Sequence, residues 1–369
     1  MNILYFITHI TNSGGMEHIV IDKINYFVEH GYNISLAYFG NKADISFFPI
    51  SEKVRCIPIC ALEDTVSFIH KTCMTITLVR RIYRIIEEQK PDIIVNANTV
   101  LISWILPCIR RDIPKIIELH FSYDGMLYMN HLFYAKNRLK GWINTFLRRL
   151  FYPKYTVCVL LTSEDKEKWD FRNAVVIPNY YDNCDELISN LDNKTILFVG
   201  RLQFEKNIPM LIGAFKIIHS KYPDWKLELW GSGPLENELH ALIRKEQLLQ
   251  SVHLRGRTNQ MGHIYEKSSI LVLPSFYEGF PLVLIEAMGA GIPCIGTDIS
   301  GNKAIIKHNE NGIIIKENSV EALAQAIDTL IRNPTLLHKM SKNAIQTALQ
   351  YRKEIIIKRW IQLFISLTR

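Results

Sequence analysis

The chain has 369 residues, 48% hydrophobic and 21% charged, the composition of an ordinary globular protein with room for two cores and no low-complexity tract. Its seven Cys contain no C-x-x-C pair and no regular spacing, which argues against a disulfide framework or a zinc site and for a reducing, cytoplasmic compartment. The net charge of +7 points to an anionic partner: nucleic acid, a membrane surface or a phosphorylated substrate.

The start, MNILYFITHITNSGG, has no cationic segment before its apolar run and no signal-peptidase-like site, so it reads as a first strand and not as an export signal. No apolar stretch reaches the length of a spanning helix. Asn2 to Ile10 is predicted to be a buried strand, followed by the loop Thr11-Asn12-Ser13-Gly14-Gly15 and an amphipathic helix from about Glu17 to His30. The pair Gly14-Gly15 suits either a tight turn or a cradle in which backbone amides approach a phosphate. It is not G-x-G-x-x-G, so the dinucleotide fingerprint is missing.

Gly31 ends that helix, NISLAYF and VRCIPI are further strands, and Thr75 to Lys90 is a basic amphipathic helix closed by Pro91. DIIVNA, a helix through Trp104 and the strand KIIELH, ending at His120, continue the alternation. This is the pattern of a doubly wound parallel sheet. From Gly125 to Ser163 there is no Asp or Glu, while Lys136, Arg138, Lys140, Arg148, Arg149 and Lys154 alternate with Tyr, Phe and Trp. Residues 125–155 read either as an element lying on an anionic membrane surface or as a packed helix pair with a solvated basic face. Nucleic acid is the poorer reading, because no recognition motif accompanies the charge.

The strands YTVCVLLTS and AVVIPN close a first domain, residues 1–180, and the Asn- and Asp-rich stretch 181–193 is the expected linker. Over 194–352 the pattern begins again: KTILFVGRL, the helix NIPMLIGAFKIIHSKYP, WKLELWGSG, a polar helix through Gln250, SVHLRG, and a short helix around Gln260 to Lys267. Next come the strand ILVLP, a loop holding Glu278, an apolar helix starting at Pro281 with Glu286 as its one charge, and the strand PCIGTD. A carboxylate in such an apolar setting is costly unless something polar meets it. Helices over Val320–Ile331 and Leu336–Ala348 follow, then a final helix within 353–369 with Trp360 and Phe364 on an apolar stripe.

The segment PSFYEGFPLVLIEAMGAGIPCIGTDISG, with Glu278 and Glu286 as an E-x7-E pair, resembles the nucleotide-sugar signature of retaining glycosyltransferases of the GT-B fold (glycosyl transferases group 1, family 4). GRLQFEKN is similar to the family's G-R-L-x-x-x-K-N, GSGP at Gly231 to Pro234 to its nucleotide-side turn, and GGMEHIV to its first-loop motif. The resemblance implies an α/β fold of two Rossmann-like doubly wound parallel-sheet domains facing a cleft, with the last helix packing back on the first domain. It implies diphosphate contacts from Arg201 and Lys206, sugar-hydroxyl contacts from Glu278, and ribose contacts from Glu286. His120 falls where the family has a His near the donor sugar. Gly14, Gly15, Gly231, Gly233, Phe280, Pro281 and Leu282 complete the implied donor site. Two positions depart from the pattern: Phe121 follows His120 where Asp is common, and Ala304 stands where a Glu is usual.

The resulting expectation is a retaining glycosyltransferase. It moves a hexose or N-acetylhexosamine from a nucleotide diphosphate sugar, first of all a UDP-sugar, to a glycan or lipid-linked hydroxyl in bacterial surface polysaccharide synthesis. The site would lie in the cytoplasm, on the inner face of the membrane if 125–155 binds lipid. No D-x-D occurs in the chain, which argues against a carboxylate-held metal, and no cofactor is expected. A sugar-nucleotide epimerase shares the implied fold. A non-catalytic partner subunit would be expected to have lost Arg201, Lys206 or one Glu, and an NAD-dependent oxidoreductase would need the missing fingerprint.

Overall fold

Short runs of Ile, Leu and Val bounded by Gly, Pro and Asn form the central strands, which are buried on both faces. The computed structural model describes residues 1–369 except 13, 42, 60–67, 98, 100, 134–137, 183–186, 259 and 369, and describes 68–75, 130–133 and 138–140 by their backbone alone. Two compact units result: Met1–Ile177 with Ile357–Arg369, and Pro178–Ile356.

The first unit holds β1 (Asn2–Ile7), β2 (Asn33–Phe39), β3 (Arg55–Ile59), β4 (Ile93–Asn96), β5 (Lys115–Leu119), β6 (Val157–Leu160) and β7 (Ala174–Val176). They form one sheet in the order β3-β2-β1-β4-β5-β6-β7, with every pairing parallel. The winding direction reverses between β1 and β4, and ligands of such sheets bind at the strands' carboxyl ends near that reversal. β1 stops three residues earlier than its apolar run suggests. Its neighbour β2 turns away after Phe39, and the Ile10 carbonyl accepts the Phe47 N–H at 2.9 Å instead of a ladder bond.

The helix Gly15–Glu29 lays Ile19, Val20, Ile24 and Phe27 on the sheet. Phe27 also meets Phe364 of the last helix, Lys353–Thr368, edge to face at 5.2 Å. Thus Ile357–Arg369 supplies part of the first unit's core, with Trp360 and Phe364 both buried.

The second unit holds β8 (Thr195–Val199), β9 (Lys226–Trp230), β10 (Val252–Gly256), β11 (Ile270–Leu273), β12 (Cys294–Thr297) and β13 (Gly312–Ile315). Their order is β10-β9-β8-β11-β12-β13, again all parallel, and the reversal falls between β8 and β11. β13 has no counterpart in the sequence expectations. The helix Pro334–Leu349 begins two residues before the expected Leu336: Asn333 caps it by accepting the Leu336 N–H, and Pro334 occupies the first turn.

Residues 183–186 of the stretch expected as a linker lie outside the described residues. The rest is held on the second unit: Ser189 donates its hydroxyl to the Ser268 carbonyl at 2.6 Å, and the Ser269 hydroxyl reaches the Leu191 carbonyl at 2.7 Å. No helix among the described residues is long and apolar enough to cross a membrane.

Candidate functional site

At the carboxyl end of β8 the backbone is locked to its neighbour before it can diverge. The Gly200 N–H bonds the Trp230 carbonyl at 3.0 Å and the Leu202 N–H the Ser232 carbonyl at 3.1 Å. A single 3-10 turn, Phe204–Lys206, then ends in Asn207, whose φ of 49° and ψ of 40° are left-handed. Asn tolerates that region better than most residues, and the reversal opens the helix Ile208–Lys221. Lys206 is thereby aimed at the neighbouring loop, after β11.

That loop is tied back to the first one: the Phe276 N–H donates to the Glu205 carbonyl at 2.8 Å, and the Phe204 and Phe276 rings stack at 5.2 Å. Lys206 Nζ lies 2.5 Å from Glu278 Oε1, and the Ser275 hydroxyl donates to the same oxygen at 2.7 Å. The two charged side chains are only 16% and 14% exposed, so their attraction is less screened than on an open surface. Behind Glu278 sits Gly301; a Cβ there would stand 2.7 Å from the Glu278 carbonyl oxygen and 2.9 Å from its Cβ. The Thr297 hydroxyl in turn donates to the Ser275 carbonyl at 2.5 Å. The end of β12 therefore sets the position of the Glu278 loop.

Gly231 and Gly233 have a packing reason to be Gly. A Cβ on Gly231, at φ 141°, would fall 1.8 Å from the Gly200 carbonyl oxygen, and one on Gly233 within 2.4 Å of that of Leu202. Their absence of side chains lets the loop after β9 close on the loop that carries Arg201, itself exposed. Pro281 is the N-cap of the helix Leu282–Gly289 rather than its first residue, because its ψ of 106° is extended. Phe280 is buried against the Tyr351 ring at 5.3 Å, and the half-buried Leu282 opens the first turn, where backbone N–H groups lack intrahelical partners and suit an anion.

One turn further, Glu286 accepts the Tyr265 hydroxyl at 2.7 Å. Burial, followed by the Glu286 charge, pushes the Tyr265 phenol well above its ordinary range, so the phenol keeps its proton and remains a donor. Tyr265 answers the problem of a carboxylate inside an apolar helix.

Gly14, Gly15 and His120 belong to the first unit. Gly14 is the N-cap of the helix Gly15–Glu29, and a Cβ on Gly15 would meet nothing within 4 Å. Gly15, unlike Gly231, is not required by contacts inside the chain. His120 follows the last residue of β5, and its Nε2 stands 3.1 Å from Glu118 Oε2. Both oxygens of Glu118 also take bonds from Lys23 Nζ, at 2.7 and 2.6 Å, with both residues buried. Burial pushes the Glu118 carboxyl up, but Lys23 and His120 outweigh it and hold its pKa below the usual value. Lys23 Nζ lies 3.7 Å from the centre of the Trp360 ring.

Sequence reasoning missed Lys23, Glu118, Tyr265 and Ser275. One signal was present: Glu118 and His120 are two apart in a strand and share a face.

In the aromatic basic stretch, the helix Arg138–Phe151 exposes Trp142, Ile143, Phe146 and Leu150, with Trp142 and Phe146 stacked at 5.6 Å. Arg148 does not join that surface; it is buried over the Phe121 ring at 5.0 Å. Lys136 and the side chains of Arg138 and Lys140 lie outside the described residues.

Two family models match the chain, glycosyltransferase family 4 over residues 13–182 and glycosyl transferases group 1 over residues 183–347. An uncharacterized glycosyltransferase of Haemophilus influenzae is 32% identical over 96% of this chain and 98% of its own. A Campylobacter jejuni protein, GalNAc-α-(1→4)-GalNAc-α-(1→3)-diNAcBac-PP-undecaprenol α-1,4-N-acetyl-D-galactosaminyltransferase, is 26% identical over 97% of each chain. Among solved structures, Anabaena HepE in complex with UDP superposes with a TM-score of 0.78 and 18% identity, covering 99% of this chain and 100% of that one. With two reversing parallel sheets, and with both family models matched in sequence order, the chain belongs to the group 1 and family 4 glycosyltransferases of the GT-B fold.

Proposed function

We propose that this glycosyltransferase is a retaining, metal-independent enzyme. It takes a hexose or N-acetylhexosamine from a UDP-sugar and delivers it to a glycan or lipid-linked acceptor hydroxyl in the synthesis of a bacterial surface polysaccharide. The observation that carries the reading is the pairing of Lys206 with Glu278 beside the β8/β11 reversal. The leaving nucleoside diphosphate gathers negative charge as the glycosidic bond breaks, and a cation already held in place stabilises that charge without reorganising. Lys206 is such a cation, with Arg201 and the first turn at Leu282 beside the same two loops. Lys206 and Ser275 both use Glu278 Oε1, so Oε2 is the oxygen assigned to hydroxyls of the transferred sugar. Glu286, oriented by Tyr265, is assigned to the ribose.

The absence of D-x-D supports chemistry without a carboxylate-held metal. UDP is chosen because HepE, which shares the fold, was solved with UDP. The lipid-linked acceptor is chosen because the Campylobacter relative is named for an undecaprenol diphosphate glycan. The exposed Trp142, Phe146 and Leu150 suit an enzyme that works from the cytoplasm on a lipid surface. The test is calorimetry against UDP-, GDP- and ADP-sugars with EDTA present, followed by transfer to an undecaprenyl diphosphate-linked glycan. Binding of a UDP-sugar, weakened in Lys206→Ala, and a product with the donor's anomeric configuration are expected. An inverted product, or free epimerised sugar without transfer, would overturn the reading.

A further inference from the structure

A buried Lys–Glu pair is an expensive way to fill a core, and apolar residues of similar volume often serve as well or better. The first unit nevertheless buries Lys23 and Glu118, 1% and 2% exposed, under the Trp360 ring, and spends one Glu118 oxygen on His120 Nε2. Such an arrangement does something an apolar pair cannot: it presents a fixed acceptor to one nitrogen of the histidine.

A carboxylate only accepts, so the nitrogen facing it carries a proton. Nε2 is therefore the protonated position of the neutral His120 ring, and Nδ1 carries its lone pair. His120 Nδ1 is buried and meets no hydrogen-bond partner among the described residues. Buried polar atoms are ordinarily satisfied, and an orphan calls for a reason, of which a catalytic role is one. Where the family resemblance expects an Asp after the His, this chain has Phe121. Strand alternation instead brings a carboxylate to the ring from two residues before it.

We propose that Glu118, held in place by Lys23 and Trp360, is a positioning residue. It locks His120 as the Nε2–H tautomer and turns the Nδ1 lone pair toward a sugar hydroxyl. This rests on the glycosyl-transfer reading for the identity of the hydroxyl, but not for the tautomer. The role of Lys23 is indirect, since it supplies the charge that keeps Glu118 an acceptor and touches nothing in the reaction.

The test compares two double variants that leave no buried charge unpaired. Lys23→Met/Glu118→Gln keeps an acceptor oxygen for Nε2–H, whereas Lys23→Met/Glu118→Leu removes it. In protein labelled with 15N-histidine, with the His120 signal identified by its loss in His120→Ala, wild type and the Gln variant are expected to show a protonated Nε2 and an unprotonated Nδ1 at high pH. The Leu variant is expected to show a mixture. Turnover in the Gln variant is expected to stay within about threefold of wild type and in the Leu variant to fall by about tenfold or more, mostly in kcat, as misplaced groups do. Adding His120→Ala to the Leu variant is expected to cost little further, because the two changes act on one unit. A folded Leu variant with wild-type kcat, or a wild-type His120 protonated at Nδ1 alone, overturns the proposal. If the wild type transfers no sugar, the glycosyl-transfer reading fails, and the 15N spectra still decide the tautomer.

Discussion

Lys206 and Glu278, 72 residues apart in sequence, meet at 2.5 Å through side chains that are mostly shielded from water. A lysine side chain ordinarily loses entropy when a ligand orders it; at Lys206 the counter-ion Glu278 orders it beforehand.

Lys206→Ala is expected to reduce kcat about 100-fold or more, equivalent to about 3 kcal/mol of transition-state stabilisation, the usual consequence of deleting one preorganised donor. Glu278 keeps its bond from Ser275, so the variant should fold, and near-wild-type circular dichroism alongside the rate loss is the required pattern. Turnover at saturating donor within a few fold of wild type would remove Lys206 from the site.

Gly231→Ala and Gly15→Ala should behave oppositely. At Gly231 the new methyl collides with the Gly200 carbonyl and the φ of 141° strains any side chain, so a loss of about 1–3 kcal/mol is expected. That is about 2–12 °C in Tm for a unit of this size. At Gly15 the methyl meets nothing, so Tm should hardly move while donor affinity falls. Differential scanning fluorimetry paired with donor titration separates the two.

Tyr265→Phe deletes the donor to Glu286. A hydrogen bond to a charged group contributes about 1.5–3 kcal/mol, so the KM for the nucleotide sugar is expected to rise about tenfold or more with a smaller effect on kcat. An unchanged KM would detach Glu286 from donor binding.

The buried pair gives a stability signature independent of turnover. Lys23→Met alone strands Glu118 and should cost about 3–5 kcal/mol, whereas Lys23→Met/Glu118→Leu should cost far less. Because the Glu118 pKa is lowered in the fold, with burial opposing and Lys23 and His120 prevailing, its contribution is present above the unfolded carboxylate value of about 4.3. It is lost as pH falls through the folded value. As pH is lowered from about 5 to about 2, through and below the unfolded carboxylate value, urea midpoints should therefore drop more steeply for wild type than for the double variant.

Trp142→Ala/Phe146→Ala should weaken co-sedimentation with anionic vesicles at low salt and leave transfer to a water-soluble acceptor analogue unchanged. Equal sedimentation of wild type and variant would show that the exposed rings do not hold the chain on lipid.

Much of the second unit was legible in the sequence because parallel, doubly buried strands are written as short apolar runs, and the loops between them as Gly, Pro and charge. β8, β11 and β12 fall where those runs lie. β13, Gly312–Ile315, escaped although it is as long as β11 and β12, because no motif beside it marked its short apolar run as a strand. Lys23 escaped for another reason: a lone Lys on an amphipathic helix reads as solvated, and its burial depends on Glu118, 95 residues away, and on Trp360 further still. The Tyr265–Glu286 bond was invisible on the same grounds, since only the fold sets the two helices side by side. What local pattern encodes was readable, and what distant partners decide was not.

The first unit is discontinuous, closed by Ile357–Arg369 only after the whole of Pro178–Ile356 has been made. At a synthesis rate of roughly 5–20 residues per second, those intervening residues occupy the ribosome for roughly ten seconds or longer. During that time Phe27 lacks Phe364, and Lys23 has no aromatic roof. The nascent first unit therefore waits with an apolar face uncovered while the second unit can already complete its own sheet. In the cell the order of maturation is expected to run against the order of translation, and a chaperone's most exposed client surface would be the one beneath the last helix.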